Sequence, residues 1–317
     1  MAVYTHVSAE EMTALLLRYD VGTLGSAKGI AEGVENSNFL IDTSGGNDGA
    51  RFILTLYEKR VDAADLPFFF ALLDHLADKG LPVPRAIRDR EGAQLQRVAG
   101  RPGCLIEFLT GVSVSHPTPV QARATGAALG QMHAALADFT PQRPNTMGPV
   151  GWHELAARCG DDLNRIAPAL GARVQAELDW LDSAWPTHLP SAVVHADLFP
   201  DNVLMRGNEV GGLIDFYFAC TEVRAWDVAV THAAWSFGDD GTDYQAEIGD
   251  AIIDGYEAVF GLSDAERAAF PALARGACLR FMLTRAWDWL NTPADALVTR
   301  KDPLAFLRRL DHYAGHD

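Results

Sequence analysis

The chain has 317 residues, of which 48% are hydrophobic, so it can form one large domain or two modest ones around a substantial core. Its formal net charge is −16, which argues against nucleic acid as a partner because a polyanion would be repelled. No apolar run is long enough to span a membrane, no signal peptide is evident and no CxxC pair occurs, so we expect a cytoplasmic protein without a disulfide framework or zinc site.

The first part of the chain is predicted to be a sheet crossed by one long helix. Ser8 and Glu11 have the spacing of a capping box, which predicts a first helix ending near Tyr19. A second helix is expected over residues 66–79, because its periodic apolar residues stop at Gly80. Strands are predicted at 38–42, 51–57, 93–98 and 104–108, with a glycine-rich hairpin loop between the first two.

After Gly111 the sequence becomes mainly helical. Apolar periodicity predicts helices at 120–139, 152–170, 173–185, 226–237, 244–260, 264–290 and 303–313. One β-rich interruption runs from Ala192 to Phe216, where short strands alternate with a polar loop and a Gly-Asn turn. The pattern predicts an α+β protein with a small β lobe followed by a larger, mostly helical one.

The β-rich interruption carries the residues best suited to chemistry. The order strand, loop, strand, turn, strand brings Asp197, Asn202 and Asp215 towards one point. Asp215 and Asn202 offer the oxygen ligands that Mg²⁺ prefers, and Asp197 is left to accept a hydrogen bond from an attacking hydroxyl. The pattern therefore predicts phosphoryl transfer from Mg·ATP. Ordinary polar loop residues are the alternative interpretation, which the combined spacing disfavours.

The spacing from His195 to Asn202 resembles the catalytic loop of the protein-kinase-like superfamily, and the later Asp-Phe resembles its metal-binding motif. The next residue is Tyr217 instead of Gly, as in the aminoglycoside phosphotransferase-like branch. This resemblance implies a bilobal α+β fold with a small antiparallel nucleotide-binding lobe, residues 1–108, and a larger, mainly helical catalytic and substrate-binding lobe, residues 109–317. It also implies that His195 and Asp227 are structural braces.

The same resemblance implies a nucleotide site in the first lobe. Thr55 occupies the strand position where the family usually has a phosphate-binding Lys or Arg. Lys59 lies on the same strand face and could reach the α- and β-phosphates, although a plain surface Lys at a strand end is an equal alternative. Its acidic partner stays open between Asp62 and Asp65.

Four further residues complete the implied nucleotide contacts. Asn36 and Ser37 lie where the family has the hairpin that covers the nucleotide, and a plain hairpin turn is the alternative. Glu107 and Leu109 resemble the hinge, whose backbone carbonyl and amide would pair with the edge of adenine.

Longer stretches, above all Asp-Phe-Tyr-Phe-Ala-Cys from Asp215, resemble bacterial homoserine kinases of the aminoglycoside phosphotransferase-like type. The implied reaction converts ATP and L-homoserine to ADP and O-phospho-L-homoserine, in threonine biosynthesis. An Arg is the natural clamp for the substrate carboxylate, and Arg280 and Arg285 on a late helix are the candidates, together with Tyr217. The alternative is that both arginines belong to an ordinary amphipathic helix.

Two other functions stay open. A sister kinase could act on choline, ethanolamine, an aminoglycoside, methylthioribose or a ketoamine with the same fold and catalytic loop. A non-catalytic nucleotide-binding protein is less favoured, since all three polar residues of the motif are present. A protein kinase fits poorly because no Ala-Pro-Glu segment follows Asp215. We expect a small amino-alcohol substrate and no nucleic-acid or membrane partner, and the choice between monomer and homodimer stays open.

Overall fold

The protein is represented by a computed structural model that describes residues 5–30, 36–45, 50–58, 62–292 and 300–315. The chain divides into two compact units, Met1–Thr110 and Gly111–Asp317. Among the described residues, no helix combines the length and the apolar character needed to cross a bilayer.

The first unit is built on a five-stranded sheet with the order β1-β2-β3-β5-β4. Its strands are β1 Thr23–Ile30, β2 Asn36–Ser44, β3 Arg51–Tyr57, β4 Gln96–Val98 and β5 Arg101–Glu107. All neighbouring strands are antiparallel, so the predicted pairing of β2 with β3 is confirmed. Strand β4 is shorter than predicted, because the Asp89 carboxylate accepts hydrogen bonds from the amides of Glu91 and Ala93 and forms a turn there.

In the described part of this unit two α-helices accompany the sheet, α1 Ala9–Leu16 and α2 Leu66–Asp78. The predicted capping box of α1 is present, with the Ser8 hydroxyl accepting from the Glu11 amide and the Glu11 carboxylate accepting from the Ser8 amide. Met12, Leu15 and Leu16 of α1 join a buried cluster with apolar residues of β2, β3 and β5. Positions 12, 15 and 16 share one side of a helix, and this is the face of α1 that is buried.

The second unit contains seven α-helices within its described residues. They are α3 Pro119–Ala135, α4 Pro149–Cys159, α5 Leu170–Ala184, α6 Arg224–Trp235, α7 Ala246–Glu257, α8 Asp264–Asn291 and α9 Leu304–Ala314. The single helix predicted over 152–170 is wrong, because α4 ends before Gly160, whose φ of 50° is left-handed. A 3-10 segment, Gly160–Arg165, replaces the rest of it.

Four short strands of the second unit frame the polar loop noted in the sequence. They are β6 Ser191–Val194, β7 Val203–Arg206, β8 Glu209–Leu213 and β9 Cys220–Val223. Strand β7 pairs with β8 across the predicted turn, while β6 pairs antiparallel with β9. Strand β9 was not predicted, since four residues carry little periodicity and its partner is distant in the sequence. The pairing of β6 with β9 closes the loop region into one framework.

Helices α3 and α7 cross at two glycines where their backbones meet. A Cβ atom on Gly255 would lie 2.1 Å from the Arg123 carbonyl oxygen, and one on Gly126 would lie 2.1 Å from the Ile252 carbonyl oxygen. Both obstacles are backbone atoms, which cannot rotate away as a side chain can. The crossing therefore requires glycine on each helix.

We expect Gly255→Ala to lower the free energy of unfolding by about 2–3 kcal/mol, because α3 and α7 must move apart to admit the methyl group. Gly171→Ala in α5 is the matched control, since its Cβ would meet nothing closer than 3.6 Å. Urea unfolding at 25 °C measures both changes. Similar values for the two variants would contradict the close approach of the helices.

Candidate active site

The loop between β6 and β7 is anchored at its start by a buried carboxylate on α6. The amides of His195 and Ala196 donate to the two oxygens of Asp227, at 2.7 and 2.8 Å. Ala196 has a φ of 63°, a left-handed conformation that costs free energy for a residue with a side chain. Its carbonyl in turn accepts a hydrogen bond from the buried Arg280 guanidinium. Asp227 and Arg280 together hold the strained backbone in place.

The His195 ring connects this loop to the strand that precedes Asp215. Its Nε2 lies 3.0 Å from the Ile214 carbonyl oxygen, and its Nδ1 accepts from the Asp197 amide at 3.3 Å. A carbonyl partner requires Nε2 to carry the proton, which assigns the neutral tautomer. Complete burial lowers the pKa of His195 as well. The geometry is that of a neutral brace, because both ring nitrogens are occupied by the backbone.

Asn202 brings the three predicted residues together. Its side-chain amide nitrogen donates to the Asp197 carbonyl at 2.8 Å and to an Asp197 carboxylate oxygen at 3.2 Å. The Asn202 backbone carbonyl accepts a hydrogen bond from the Ile214 amide at 3.0 Å, and Asp215 is the next residue in the chain. Asp215 is left-handed, with φ 65° and ψ 57°, a conformation that Asp tolerates better than most residues. The structure thus gathers Asp197 and Asn202 beside Asp215, in agreement with the sequence pattern.

The donor set fits a divalent cation that is shared with a nucleotide. Because the hydrogen bonds of the Asn202 side chain use its nitrogen, its amide oxygen is the atom left for a hard cation. Among the described residues, no group of three or more His, Cys, Asp or Glu side chains could hold a metal ion by itself. Mg²⁺ commonly binds one or two protein oxygen ligands and completes its octahedron with waters and phosphates. Asp215 and Asn202 match this requirement.

Asp227 also binds a buried histidine of α3. His133 of α3 places Nε2 at 3.1 Å from an Asp227 oxygen and Nδ1 at 2.9 Å from the Tyr256 hydroxyl of α7. Burial alone would raise the pKa of Asp227, but the hydrogen bond and charge of His133 and the His195 amide hold it below its usual value. The only sequence signal was a polar ring on the apolar face of α3, which requires a partner once it is buried.

The candidate substrate residues occupy different environments. Arg280 is 2% exposed and its guanidinium lies near the rings of Phe218 and Phe281, 5.0 and 4.4 Å from their centroids. Because Arg280 donates to the Ala196 carbonyl from behind the loop between β6 and β7, its position favours a role in supporting that loop. Arg285 is only partly buried and lies over another aromatic ring. Tyr217 follows Asp215 in the 3-10 turn Phe216–Phe218 and is partly buried.

Two of the residues expected to contact the nucleotide, Asn36 and Ser37, lie at the start of β2 in the first unit. The Ser37 hydroxyl donates to a Glu58 carboxylate oxygen at 2.7 Å and accepts from the Thr5 amide, so that side chain is engaged within the unit. Asn36 is buried, and its side-chain oxygen has no hydrogen-bond partner among the described residues. Lys59 lies outside the described residues.

Glu107 and Leu109, whose backbones are expected to pair with adenine, also belong to the first unit, as does Thr55. The Glu107 amide donates to the Arg85 carbonyl at 2.9 Å, and the Glu107 carboxylate accepts from the Arg85 amide at 3.0 Å. Leu109 follows two residues later and is partly buried. Thr55, at the position of the usual basic residue, is buried and donates to the Asn38 side-chain oxygen at 2.8 Å. An uncharged pair of side chains therefore occupies that part of the sheet.

Solved structures resemble this chain over almost its whole length. An amicoumacin kinase, determined with AMP-PNP, Ca²⁺ and amicoumacin, gives a TM-score of 0.75 at 16% identity, covering 98% of this chain and 94% of the other. Choline kinase from Cryptosporidium parvum gives 0.71 at 16% identity, with coverage of 97% and 95%. At this identity the likeness shows the fold alone, and the predicted α+β, protein-kinase-like fold is confirmed.

Sequence relatives are much closer. A homoserine kinase from Zymomonas mobilis is 55% identical over 99% of this chain and 97% of its own length. Another from Xanthobacter autotrophicus is 50% identical over 100% of this chain and 97% of its own length. A model of the phosphotransferase enzyme family matches residues 26–270. The chain therefore belongs to the phosphotransferase enzyme family, in the group whose curated members carry the name homoserine kinase.

Proposed function

We propose that the chain is an ATP-dependent homoserine kinase, which transfers the γ-phosphoryl group of ATP to the hydroxyl of L-homoserine. The observation that carries the proposal is the contact network of Asn202, whose side chain binds Asp197 while its backbone binds Ile214, next to Asp215. Full-length identity of 55% to a homoserine kinase supports the choice of substrate.

In the proposed reaction Asp197 orients the attacking hydroxyl. The hydroxyl oxygen forms a bond to the γ-phosphorus while the bond from that phosphorus to the bridging oxygen breaks, so ADP leaves. The Asp197 carboxylate accepts the hydrogen bond of the hydroxyl and takes its proton as the new bond forms. Asn202 donates to the same carboxylate at 3.2 Å and so limits its rotation. The proton then passes from Asp197 to solvent.

Asn202 and Asp215 are the proposed ligands of a Mg²⁺ ion. When bound, the ion would neutralise charge on the phosphate oxygens and so favour transfer of the phosphoryl group. The His195 brace keeps the segment before Asp215 at a fixed distance from the Asp197 backbone. The protein's contribution is thus a pre-ordered pair of oxygen ligands beside the acceptor for the proton.

The first unit is proposed to bind the nucleotide. We assign residues 1–108 to nucleotide binding and residues 109–317 to catalysis and substrate binding. The Glu107 carbonyl and the Leu109 amide would pair with adenine, and Lys59 would bind the phosphates. Because the Ser37 hydroxyl is engaged by Glu58, Ser37 would act through its backbone, together with Asn36. The reaction is proposed to take place in the cytoplasm.

A substrate panel tests the proposal. The purified protein with Mg·ATP is assayed for ADP release with L-homoserine, choline, ethanolamine, an aminoglycoside, methylthioribose and a ketoamine. We expect kcat/KM for L-homoserine to exceed the others by a factor on the order of 10² or more, because a site that binds all polar groups of its substrate discriminates strongly. Asp197→Asn protein is the blank for contaminating ATPase. Turnover of choline without turnover of homoserine would refute the assignment.

A further inference from the structure

Four arginines lie along α8, and they have different partners; Arg267, near the start of the helix, pairs with Glu257. Arg275 forms a two-point ion pair with Glu177, at 2.8 and 3.0 Å. Arg280 is buried behind the catalytic loop. Arg285 donates to the Asp302 backbone carbonyl at 3.2 Å, and among the described residues no carboxylate lies within ion-pair distance of it. The Arg285 guanidinium therefore has more N–H donors than its contact with the Asp302 carbonyl uses.

The surroundings of Arg285 raise the free-energy cost of its positive charge when no anion is bound. Burial and the charge of Arg309 lower its pKa to about 10, although Asp302, Asp201 and Asp197 act in the opposite direction. The guanidinium therefore stays protonated at neutral pH while it has lost part of its hydration. A partly desolvated cation gains free energy from an anion with matching hydrogen-bond geometry. The planar fork of Arg matches a carboxylate at two points.

Packing places Arg285 beside the catalytic loop. Phe199, between Asp197 and Asn202 in the sequence, packs against Phe281 of α8 and Phe306 of α9, with ring centroids 4.7 and 6.0 Å apart. The Arg285 guanidinium lies 4.5 Å from the centroid of the Phe306 ring. Since Arg285 is one helical turn beyond Phe281, the same helix face carries both residues. The aromatic contacts thus fix Arg285 relative to the loop.

Nearby cations are engaged elsewhere. Lys301 is 60% exposed and pairs with Asp201 at 3.7 Å. Arg308 pairs with the Asp302 carboxylate at 3.3 Å. Arg309 is buried and donates to two backbone carbonyls. In this part of the described chain, Arg285 is the guanidinium best placed for a small anion.

We propose that Arg285 binds the carboxylate of the substrate while Asp197 receives its hydroxyl, so that the site selects a hydroxy amino acid over an amino alcohol. This assignment rests on the proposed function and extends it to a specificity residue. In homoserine three carbon atoms separate the carboxylate carbon from the hydroxyl oxygen that reacts. Arg285 of α8 would then bind the carboxylate end of the substrate, and Asp197 of the catalytic loop would bind its hydroxyl end.

The test compares two substrates that differ by the carboxylate, L-homoserine and 3-aminopropan-1-ol. Arg285→Met keeps the stem of the side chain and removes the charge. We expect it to lower kcat/KM for L-homoserine about 50-fold, mainly through KM, because one charged hydrogen-bonded pair is lost. For 3-aminopropan-1-ol the change should stay within about threefold. Arg285→Lys keeps the charge without the planar fork of the guanidinium. Its kcat/KM for L-homoserine should therefore lie between the values of Arg285→Met and of the unmodified protein.

A control and a second measurement separate the outcomes. Arg308→Met removes a neighbouring exposed cation and should change kcat/KM less than threefold. L-2-aminobutyrate keeps the carboxylate of the substrate and lacks its hydroxyl. Its inhibition constant should also rise about 50-fold in Arg285→Met. This measurement tests the assignment if 3-aminopropan-1-ol reacts too slowly to be assayed. Equal losses with both substrates, or no loss, would overturn the assignment. Failure of the unmodified protein to phosphorylate homoserine would instead overturn the proposed function.

Discussion

Replacing Asp197 with Asn is expected to lower kcat for L-homoserine by a factor on the order of 10² to 10⁴, with the KM for ATP changed less than about threefold. The amide keeps the size of the side chain but cannot take the hydroxyl proton. It also offers a donor or a weaker acceptor to the Asn202 amide nitrogen, which lies 3.2 Å from the carboxylate in the structure. Steady-state kinetics and titration with a fluorescent nucleotide measure the two effects separately.

Asp201→Asn is the matched control for this change. Asp201 belongs to the same loop, but its side chain is 64% exposed and pairs with Lys301 at the surface. We expect less than a threefold change in kcat, since exposed ion pairs contribute little. Unchanged turnover in Asp197→Asn would refute its assigned role. A large loss of nucleotide affinity would instead make Asp197 part of the nucleotide site.

Local sequence was enough to predict that Asp197, Asn202 and Asp215 lie close together, because the geometry of this loop depends on neighbours in the chain. Asn202 lies five residues after Asp197, and the hairpin of β7 and β8 returns the chain to Asp215 beside Asn202. The capping box at Ser8 and the pairing of β2 with β3 were predictable for the same reason. In each case the interacting groups are close in sequence, so spacing limits where they can meet.

Local spacing could not predict the supports of the loop, because they come from distant helices; Asp227 was expected as a brace only through the family resemblance. Asp227 reaches the loop across 32 residues, and His133 reaches Asp227 across 94. Nothing in the local pattern of α3 shows that its histidine meets α6. The difference between Arg280 and Arg285 has a similar origin, since it depends on which face of α8 is covered by the loop and by α9. Packing, which sequence periodicity describes only coarsely, decides these roles.

The second large effect is expected for Asp227→Asn, which should lower the free energy of unfolding by about 3–5 kcal/mol. The carboxylate accepts hydrogen bonds from the amides of His195 and Ala196 and binds His133, all in a fully buried position. An Asn side chain has only one acceptor oxygen, so its NH₂ group would face one of the N–H donors that now bind the carboxylate. The left-handed backbone at Ala196 then loses part of its support, so kcat should fall at least tenfold in the protein that still folds.

The pH dependence and a matched control make this prediction specific. Because the pKa of Asp227 is lowered in the folded state, its contribution is complete above the ordinary value of 3.8 and is lost as the pH falls through the folded value. The stability difference between Asp227→Asn and the unmodified protein should therefore shrink as the pH falls below 3.8 and through the folded pKa of Asp227. Asp254→Asn removes an exposed carboxylate paired with Arg123 and should cost less than about 1 kcal/mol. Equal losses in the two variants, measured by urea unfolding, would show that Asp227 does not anchor the loop.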